Sequence, residues 1–327
     1  MAGAVVTEQS WAVCFKEAEA FFRCMQYEQA IEACLDFLHR YQHPPVASPS
    51  SRAVQRRIGD GLNIVFTCGG NASRWAAFLG LAKQLVDVGD GLPLVQRSVN
   101  QFRASLPGAT FYLLTRFNRN DFSCIEGVQC ISRRDNVDRP ILLEILEQTE
   151  TVLAGDRDIL VVYGDVYFSD LAIRRIRNKI VADDSCFAMF GRRFQNIRYG
   201  NTGGEDFAVF IPRSSRQIAI DYHVFLERIY VGMRLYRFGT WELITLLSVL
   251  KQRATSTLLP APFLIDGDVV KTFHAMASTW QRKDFHTRHW IDIDDETEDF
   301  DFPCEYIERL FRMVQWVGAD VERFDVK

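Results

Sequence analysis

Two basic side chains and a turn of small residues near position 70 are the part of this sequence best suited to chemistry. An apolar run over 64–66 predicts a buried strand, and the turn Cys68-Gly69-Gly70-Asn71-Ala72-Ser73-Arg74 follows it. A strand, a small-residue turn and a helix expose backbone N–H groups that can bind a phosphate chain. Arg74 and Lys83 would add the positive charge that a triphosphate needs. The turn by itself fits an ordinary strand-to-helix connection equally well.

A carboxylate follows the most apolar segment of the chain. Residues 158–163 predict a central parallel strand, and Asp165 comes just past its end. Ligands of parallel sheets bind at the carboxyl ends of the strands, where Asp165 could hold a Mg²⁺ that bridges phosphate oxygens. Alternatively, Asp165 could cap a helix that begins near Ser169. On strand context alone, the two interpretations are equally supported.

A second acidic group lies near the C-terminus. Residues from His289 onwards alternate between apolar and acidic, which predicts a strand that carries Asp292 and Asp294 on one face. Like charges on one face repel each other unless a cation lies between them. The acidic residues Glu296, Glu298 and Asp299 are expected to enter a helix instead, where the helix dipole favours them.

The polar, glycine-rich stretch 199–206 predicts a loop before a strand over 207–211. Its amides and carboxylate, with Asn201 and Glu205 as the clearest candidates, would suit the hydroxyl groups of a sugar. Arg192 or Arg193, which follow a strand predicted over 182–190, could hold the phosphate of such a substrate. A solvated hairpin would explain the same residues.

These residues need a sheet to position them, and the rest of the central region predicts one. Strands over 109–114 and 128–132 alternate with helices over 94–102 and 140–153. Such alternation indicates βαβ units and therefore a mainly parallel, doubly wound α/β fold. A further helical segment, 221–251, is rich in aromatic residues and is expected to be core or subunit interface.

The N-terminal region differs in pattern from this α/β domain. Residues 8–42 show helical spacing with a break near Gln26, and the Pro- and Ser-rich segment 43–51 predicts a linker. We expect a helical hairpin and linker over 1–50, an α/β domain over 51–302 and a C-terminal helix over 303–327 that packs on it. The apolar face of the hairpin could cover the main domain, or bind a second copy or another protein.

Composition excludes several classes of protein. The 327 residues are 48% hydrophobic with a formal net charge of −4 and no basic stripe, which argues against a nucleic-acid binder. Eight scattered cysteines without a CxxC pair favour reduced thiols in a cytoplasmic protein. Neither a signal peptide nor an apolar run of membrane-spanning length is visible.

Read as an ordered set, these motifs resemble those of the nucleotidyltransferases that activate sugar phosphates, which have a GT-A-like fold. That family opens with L-A-G-G-x-G-T-R, then P-K-Q-L or S-K-Q-L, then G-x-P-L. This chain has the segments 67–74, Lys83-Gln84-Leu85 and Gly91-Leu92-Pro93-Leu94 in that order, with Ala72 in place of the third glycine. The segment around Gly164-Asp165 and the segment from Trp290 are similar to the family's G-D and W-x-D-I-D-T-P-E-D-L motifs, the latter without its proline and with one residue inserted.

The resemblance implies an enzyme that uses an NTP and a sugar phosphate, or a phospho-alcohol, forms an NDP- or CMP-activated product and releases pyrophosphate. Such an enzyme would serve nucleotide-sugar and polysaccharide biosynthesis. The resemblance also implies roles for three groups of residues: nucleotide binding by Cys68, Gly69, Gly70, Asn71 and Ser73; catalysis by Arg74 and Lys83; and Mg²⁺ binding by Asp165 with Asp294 (or Asp292).

Two other functions stay open. A glycosyltransferase of the same fold would consume a nucleotide sugar and use a D-x-D pair, which Asp292-Ile293-Asp294 could supply late in the chain. A non-catalytic relative would bind a nucleotide, or none, and act through its helical arm. Ala72 favours this relative, because a Cβ restricts both positive φ and close approach to phosphate.

Overall fold

The computed structural model describes residues 13, 16–20, 23, 26–41, 59–68, 75, 78–115, 122–132, 145, 157–182, 187–192, 205–217, 219–220 and 290–324. The chain divides into two compact units. One contains the sheet and comprises residues 56–70 and 99–299. The other combines both termini with residues 71–98. This division differs from the predicted domains, in which the N-terminal hairpin and the C-terminal helix flank one continuous α/β domain.

The sheet unit is built on a seven-stranded sheet in the order β3-β2-β1-β4-β7-β6-β8. Its first four strands in the chain are mutually parallel. The strands are β1 (Leu62–Thr67), β2 (Thr110–Thr115), β3 (Gln129–Ser132), β4 (Asp158–Tyr163), β6 (Ala188–Arg192), β7 (Glu205–Ile211) and β8 (Trp290–Asp292). All six residues of β1 are buried, and so are the four central residues of β4, as the apolar sequence of these strands predicts.

Among these seven strands, β7 is reversed. β7 runs antiparallel to both β4 and β6, and β8 is parallel to β6. It follows that β6 and β8 point in the same direction as β4, so that six of these seven strands run one way. The predicted fold class, α/β with a mainly parallel sheet, is confirmed.

Aromatic side chains pack the sheet against its helices, α2 (Leu94–Ser105) and α3 (Asp170–Val181). The Phe102 ring meets Phe66 of β1 and Phe168 edge-on, with centroids 5.9 and 5.4 Å apart. Phe168 also meets Phe207 of β7. All four rings are buried, and edge-to-face pairs of this kind stabilise a core beyond the area they bury. The residues just before α3 are thereby fixed to the sheet.

A second, two-stranded sheet follows the carboxyl end of β4. β5 (Val166–Tyr167) pairs antiparallel with β9 (Glu298–Asp299), so the chain just after Asp165 is hydrogen-bonded to the chain that follows β8. The sequence placed Glu298 and Asp299 at the start of a helix. That prediction is wrong, because these residues form β9 and the last helix begins only at Pro303.

The other unit is largely helical. It contains α1 (Tyr27–Tyr41), a 3₁₀ turn over Lys83–Leu85 and α4 (Pro303–Phe324), and α1 packs on α4. α1 begins where the break near Gln26 predicted it. Within the described residues, no helix combines the length and the hydrophobicity that crossing a bilayer would need. The predicted linker 43–51 and the predicted helix 221–251 lie outside the described residues, and of the predicted helix 140–153 only Ile145 is described.

Candidate active site

Three sequence-predicted residues of the sheet unit lie at the carboxyl edge of the sheet. β1, β4 and β8 all point to this edge, and Cys68, Asp165 and Asp292 lie at or just past their ends. In an open parallel sheet this edge is where ligands bind, because loops from several strands converge there. The sheet topology therefore places Cys68, the first residue of the predicted phosphate-binding turn, and both predicted acidic segments at one edge.

Asp165 does not cap the helix that follows it. The N-cap of α3 is Ser169, whose Oγ accepts a hydrogen bond of 2.9 Å from the backbone N–H of Ala172. Asp165 instead occupies the tight turn between β4 and β5 and is half-buried. Of the two interpretations that the sequence left open, the capping role belongs to Ser169, and metal binding by Asp165 stays a prediction.

Cys68 is the one residue of the predicted nucleotide-binding turn that the structure describes. Its backbone N–H donates to the Leu114 carbonyl across 2.8 Å, and its side chain is 2% exposed. Burial raises the pKa of the Cys68 thiol well above its usual value, and the negative charge of Asp165 raises that pKa further. The thiol is therefore neutral at physiological pH and adds no negative charge. Gly69, Gly70, Asn71, Ser73 and Arg74 lie outside the described residues.

The two candidates for the second carboxylate differ in their surroundings. β8 ends at Asp292, which is half-buried and accepts a hydrogen bond of 3.0 Å from Trp290 Nε1 at Oδ1. Asp294 lies beyond the strand and is exposed. The prediction that both share one face of a strand is wrong, because the strand stops before Asp294 although the alternation in sequence continues. Asp292 is thus the last residue of β8, and Asp294 follows the carboxyl end of that strand.

The segment after β8 folds back onto the start of α3. Asp295 Oδ2 accepts a hydrogen bond of 2.8 Å from Ser169 Oγ, and its Oδ1 accepts one of 2.8 Å from the Thr297 backbone N–H. Thr297 Oγ1 in turn accepts a hydrogen bond of 3.1 Å from the Ser169 backbone N–H. Together with the β5–β9 pairing, these contacts join the chain that follows Asp165 to the chain that follows Asp292 and Asp294.

Arg192 has a structural role in place of the predicted contact with a sugar phosphate. It is 1% exposed, and its Nη2 lies 2.8 Å from Glu298 Oε1. Its Nη1 donates to the Thr297 carbonyl across 2.9 Å, and the guanidinium stands 5.6 Å from the centroid of the Phe207 ring. A guanidinium enclosed in this way anchors β9 to the sheet and presents no free edge to a ligand.

Glu205 belongs to a strand and not to the predicted loop. It is the first residue of β7, half-buried, and it pairs in register with Arg192 of β6. The strands approach closely here, since a Cβ on Gly191 would lie 2.2 Å from the Glu205 carbonyl oxygen. The predicted contact of Glu205 with a sugar hydroxyl stays a prediction. Arg193 and Asn201 lie outside the described residues.

Lys83, in the helical unit, is held by a carboxylate that the sequence did not identify. Its Nζ lies 3.4 Å from Asp301 Oδ1, and the Lys83 side chain is 11% exposed while that of Asp301 is 38% exposed. Trp75 fixes the same segment, because its Nε1 donates to the Phe300 carbonyl across 3.0 Å. No local motif points to Asp301, since 218 residues separate it from Lys83.

The turn that contains the predicted Gly91-Leu92-Pro93 motif is built around Asp87. Its Oδ1 accepts hydrogen bonds from the Gly89 and Gly91 backbone N–H groups, and both glycines have positive φ, at 100° and 77°. Oδ2 of Asp87 lies 2.6 Å from His39 Nε2 on α1, and its carbonyl accepts from Tyr306 Oη on α4. α1 and α4 therefore fix the turn that follows Lys83.

Mg²⁺ binding by the carboxylates at the sheet edge stays a prediction. Among the described residues, no cluster of three His, Cys, Asp or Glu side chains could hold a metal unaided. Mg²⁺ is usually bound through one or two carboxylates, with phosphate oxygens and water completing its octahedron. Asp165 with either Asp292 or Asp294 fits that pattern of oxygen ligands.

No protein-family model and no curated protein sequence matches this chain. The chain is similar to solved nucleotidyltransferase structures. Inositol-1-phosphate CTP transferase from T. maritima matches with a TM-score of 0.44 and 10% identity, over 80% of this chain and 97% of that chain. CTP:phosphocholine cytidylyltransferase from Streptococcus pneumoniae matches with a TM-score of 0.44 and 11% identity, over 77% and 99%. A UDP-glucose pyrophosphorylase complexed with UDP-glucose matches with a TM-score of 0.42 and 10% identity, over 79% and 99%. At this level of identity the similarity concerns the fold and not the activity.

Proposed function

We propose that this protein is a Mg²⁺-dependent nucleotidyltransferase that joins an NTP to a sugar phosphate and releases pyrophosphate. The observation that carries the proposal is the convergence of two acidic segments at the carboxyl edge of the sheet. One segment follows β4 and contains Asp165; the other follows β8 and contains Asp292 and Asp294. The motif at 67–74 and Lys83-Gln84-Leu85 supports the same activity.

The reaction needs positioning and charge neutralisation more than it needs a nucleophilic side chain. An oxygen of the sugar phosphate attacks the α-phosphorus of the NTP, a new P–O bond forms, and the bond to the β-phosphate breaks in line with it. Pyrophosphate leaves with the bonding electron pair. Mg²⁺, when bound, would supply positive charge to the phosphate oxygens on which negative charge develops.

The proposal gives each sequence-predicted residue a task. The backbone N–H groups of the turn 68–73 bind the phosphate chain, and Arg74 contacts its β and γ groups. Lys83 neutralises the α-phosphate and the incoming phosphate. Asp165, with Asp292 or Asp294, holds the cation. The Asp292 carboxylate is oriented by a hydrogen bond from Trp290 Nε1.

One observation favours a second candidate, a glycosyltransferase that consumes a nucleotide sugar. The triplet Asp292-Ile293-Asp294 is a D-x-D sequence, and it follows the carboxyl end of β8, where a metal-bound diphosphate could lie. The two reactions differ in what they release. A nucleotidyltransferase releases pyrophosphate, whereas a glycosyltransferase releases a nucleoside diphosphate.

The products therefore decide between these functions. Purified protein is incubated with Mg²⁺, each of the four common NTPs and a panel of sugar phosphates that also contains phosphocholine. We expect pyrophosphate release that depends on one NTP and one phosphate acceptor together. Release of a nucleoside diphosphate from a nucleotide sugar, with no pyrophosphate in any mixture, would favour the glycosyltransferase. If neither product forms, the protein is a non-catalytic relative and the proposal is wrong.

A further inference from the structure

A buried hydrogen-bonded cluster of Ser169, Asp295 and Thr297 lies beside the candidate cation site. The three residues are 2%, 2% and 0% exposed. Each residue takes part in two hydrogen bonds within the group. Ser169 donates from Oγ to Asp295 and from its backbone N–H to Thr297 Oγ1, and the Thr297 backbone N–H donates to Asp295. Hydrogen bonds removed from water in this way hold a single geometry, because any displacement leaves a polar group unsatisfied.

This cluster adjoins both candidate metal-binding segments. Asp295 directly follows Asp294, and Ser169 comes four residues after Asp165. Between Asp165 and Ser169 the chain forms β5, which pairs with β9, the strand that begins at Glu298 directly after Thr297. The two acidic segments are thus tied together by a strand pair and, next to it, by the cluster. Both oxygens of the Asp295 carboxylate accept hydrogen bonds inside the cluster, which marks it as an anchor and not as a cation ligand.

We propose that Ser169 and Thr297 are positioning residues for the cation site. Through the contact between the Ser169 N–H and Thr297 Oγ1, they hold the segment that carries Asp292 and Asp294 at a fixed place relative to Asp165. This inference rests on the proposed function, because it concerns the same cation. Groups that orient the ligands of a metal commonly matter almost as much as the ligands themselves.

A matched pair of variants at one position tests the inference. Thr297→Val has nearly the same shape but lacks the Oγ1 acceptor, whereas Thr297→Ser keeps it. The probe is the complex of Mn²⁺ with pyrophosphate, because the proposed reaction releases pyrophosphate whichever NTP is used. Binding of this complex is measured by isothermal titration calorimetry. We expect Thr297→Val to weaken binding by about tenfold, the lower end of the effect of losing an orienting group. Thr297→Ser should bind within about twofold of wild type, because the orienting hydrogen bond remains.

Ser169→Ala provides a second, charge-neutral variant, which removes the Oγ contact with Asp295 together with the N-cap hydrogen bond of α3. We expect it to weaken binding of the same complex while circular dichroism still shows a folded protein. The inference is overturned if Thr297→Val and Ser169→Ala are folded and less stable but bind the complex like wild type. The proposed function would remain intact in that case. A wild-type protein that neither binds the complex nor releases pyrophosphate would overturn both.

Discussion

The two regions that carry the candidate catalytic groups are held in different ways. In the sheet unit, the acidic segments are fixed by buried hydrogen bonds and by the ion pair between Arg192 and Glu298, whose side chains are 2% and 12% exposed. In the helical unit, Lys83 makes a longer contact to Asp301, a side chain that is 38% exposed. Ion pairs near solvent are weak, whereas breaking a buried pair is costly. Under the proposed function, buried contacts fix the carboxylates that hold the cation, whereas the weaker contact of Lys83 with Asp301 can exchange for phosphate.

The largest effect is expected where the rigid region meets the substrate. Asp165→Ala should lower turnover by about 10³-fold, the upper range for removing one electrostatic contact to a developing charge. The free energy of unfolding should change by less than about 1 kcal/mol, because Asp165 is half-buried in a turn. Steady-state pyrophosphate release and urea unfolding measure the two quantities. Pyrophosphate release that is unchanged in this variant would show that Asp165 does not bind the metal.

The buried ion pair should dominate the stability of the same region. Arg192→Met leaves the Glu298 carboxylate buried without its partner, so the free energy of unfolding should fall by about 3 kcal/mol. The double variant Arg192→Met with Glu298→Leu should recover much of that loss, since neither charge then remains. Urea unfolding at pH 7 measures both. If Arg192→Met instead raised the KM for the sugar phosphate at unchanged stability, Arg192 would be the substrate contact that the sequence predicted.

Arg192 and Asp294 show where sequence reasoning stops. β4 and Asp165 were predictable, because a run of apolar residues that ends in Gly-Asp has a local signature. Arg192 was misassigned since its partner Glu298 lies 106 residues away, and no periodicity reveals a contact made by tertiary structure. Asp294 was placed on a strand because alternation in sequence does not show where pairing ends. The pairing of β6 with β8 ends at Asp292, and the Gly191 carbonyl then accepts from the backbone N–H of Ile293.

The exchangeable contact of Lys83 should affect binding more than stability. If phosphate binds Lys83 in place of the Asp301 carboxylate, Asp301→Asn should lower the KM for the NTP. The expected change is about fivefold, equivalent to the roughly 1 kcal/mol that a part-exposed pair is worth. Lys83→Ala, as the control, should raise the same KM. Steady-state kinetics at a fixed Mg²⁺ concentration measures both. A KM that rises in Asp301→Asn would mean that Asp301 positions the lysine and does not compete with phosphate.

The smallest effect concerns the titration of Glu305, which lies near Lys83 in the helical unit. Glu305 Oε2 accepts a hydrogen bond of 2.7 Å from the Phe302 N–H at the start of α4, and burial raises the pKa of Glu305 from its usual value. A carboxyl group with a raised pKa binds its proton more tightly in the folded state. Its contribution to stability is therefore lost as pH rises from the ordinary pKa, 4.5, through the raised one.

Glu305→Gln removes this titration but keeps an acceptor for the Phe302 N–H. Wild type should consequently lose stability relative to the variant as pH rises from 4 to 7, by less than about 1 kcal/mol because the group is only half-buried. Urea unfolding of the two proteins at both pH values gives the difference, in which the titration of all other groups largely cancels. If the wild type instead gained stability relative to Glu305→Gln over this interval, the nearby Lys83 ammonium, and not burial, would determine the pKa of Glu305. The electrostatic difference between this region and the buried pair of Arg192 with Glu298 would then be smaller than the geometry indicates.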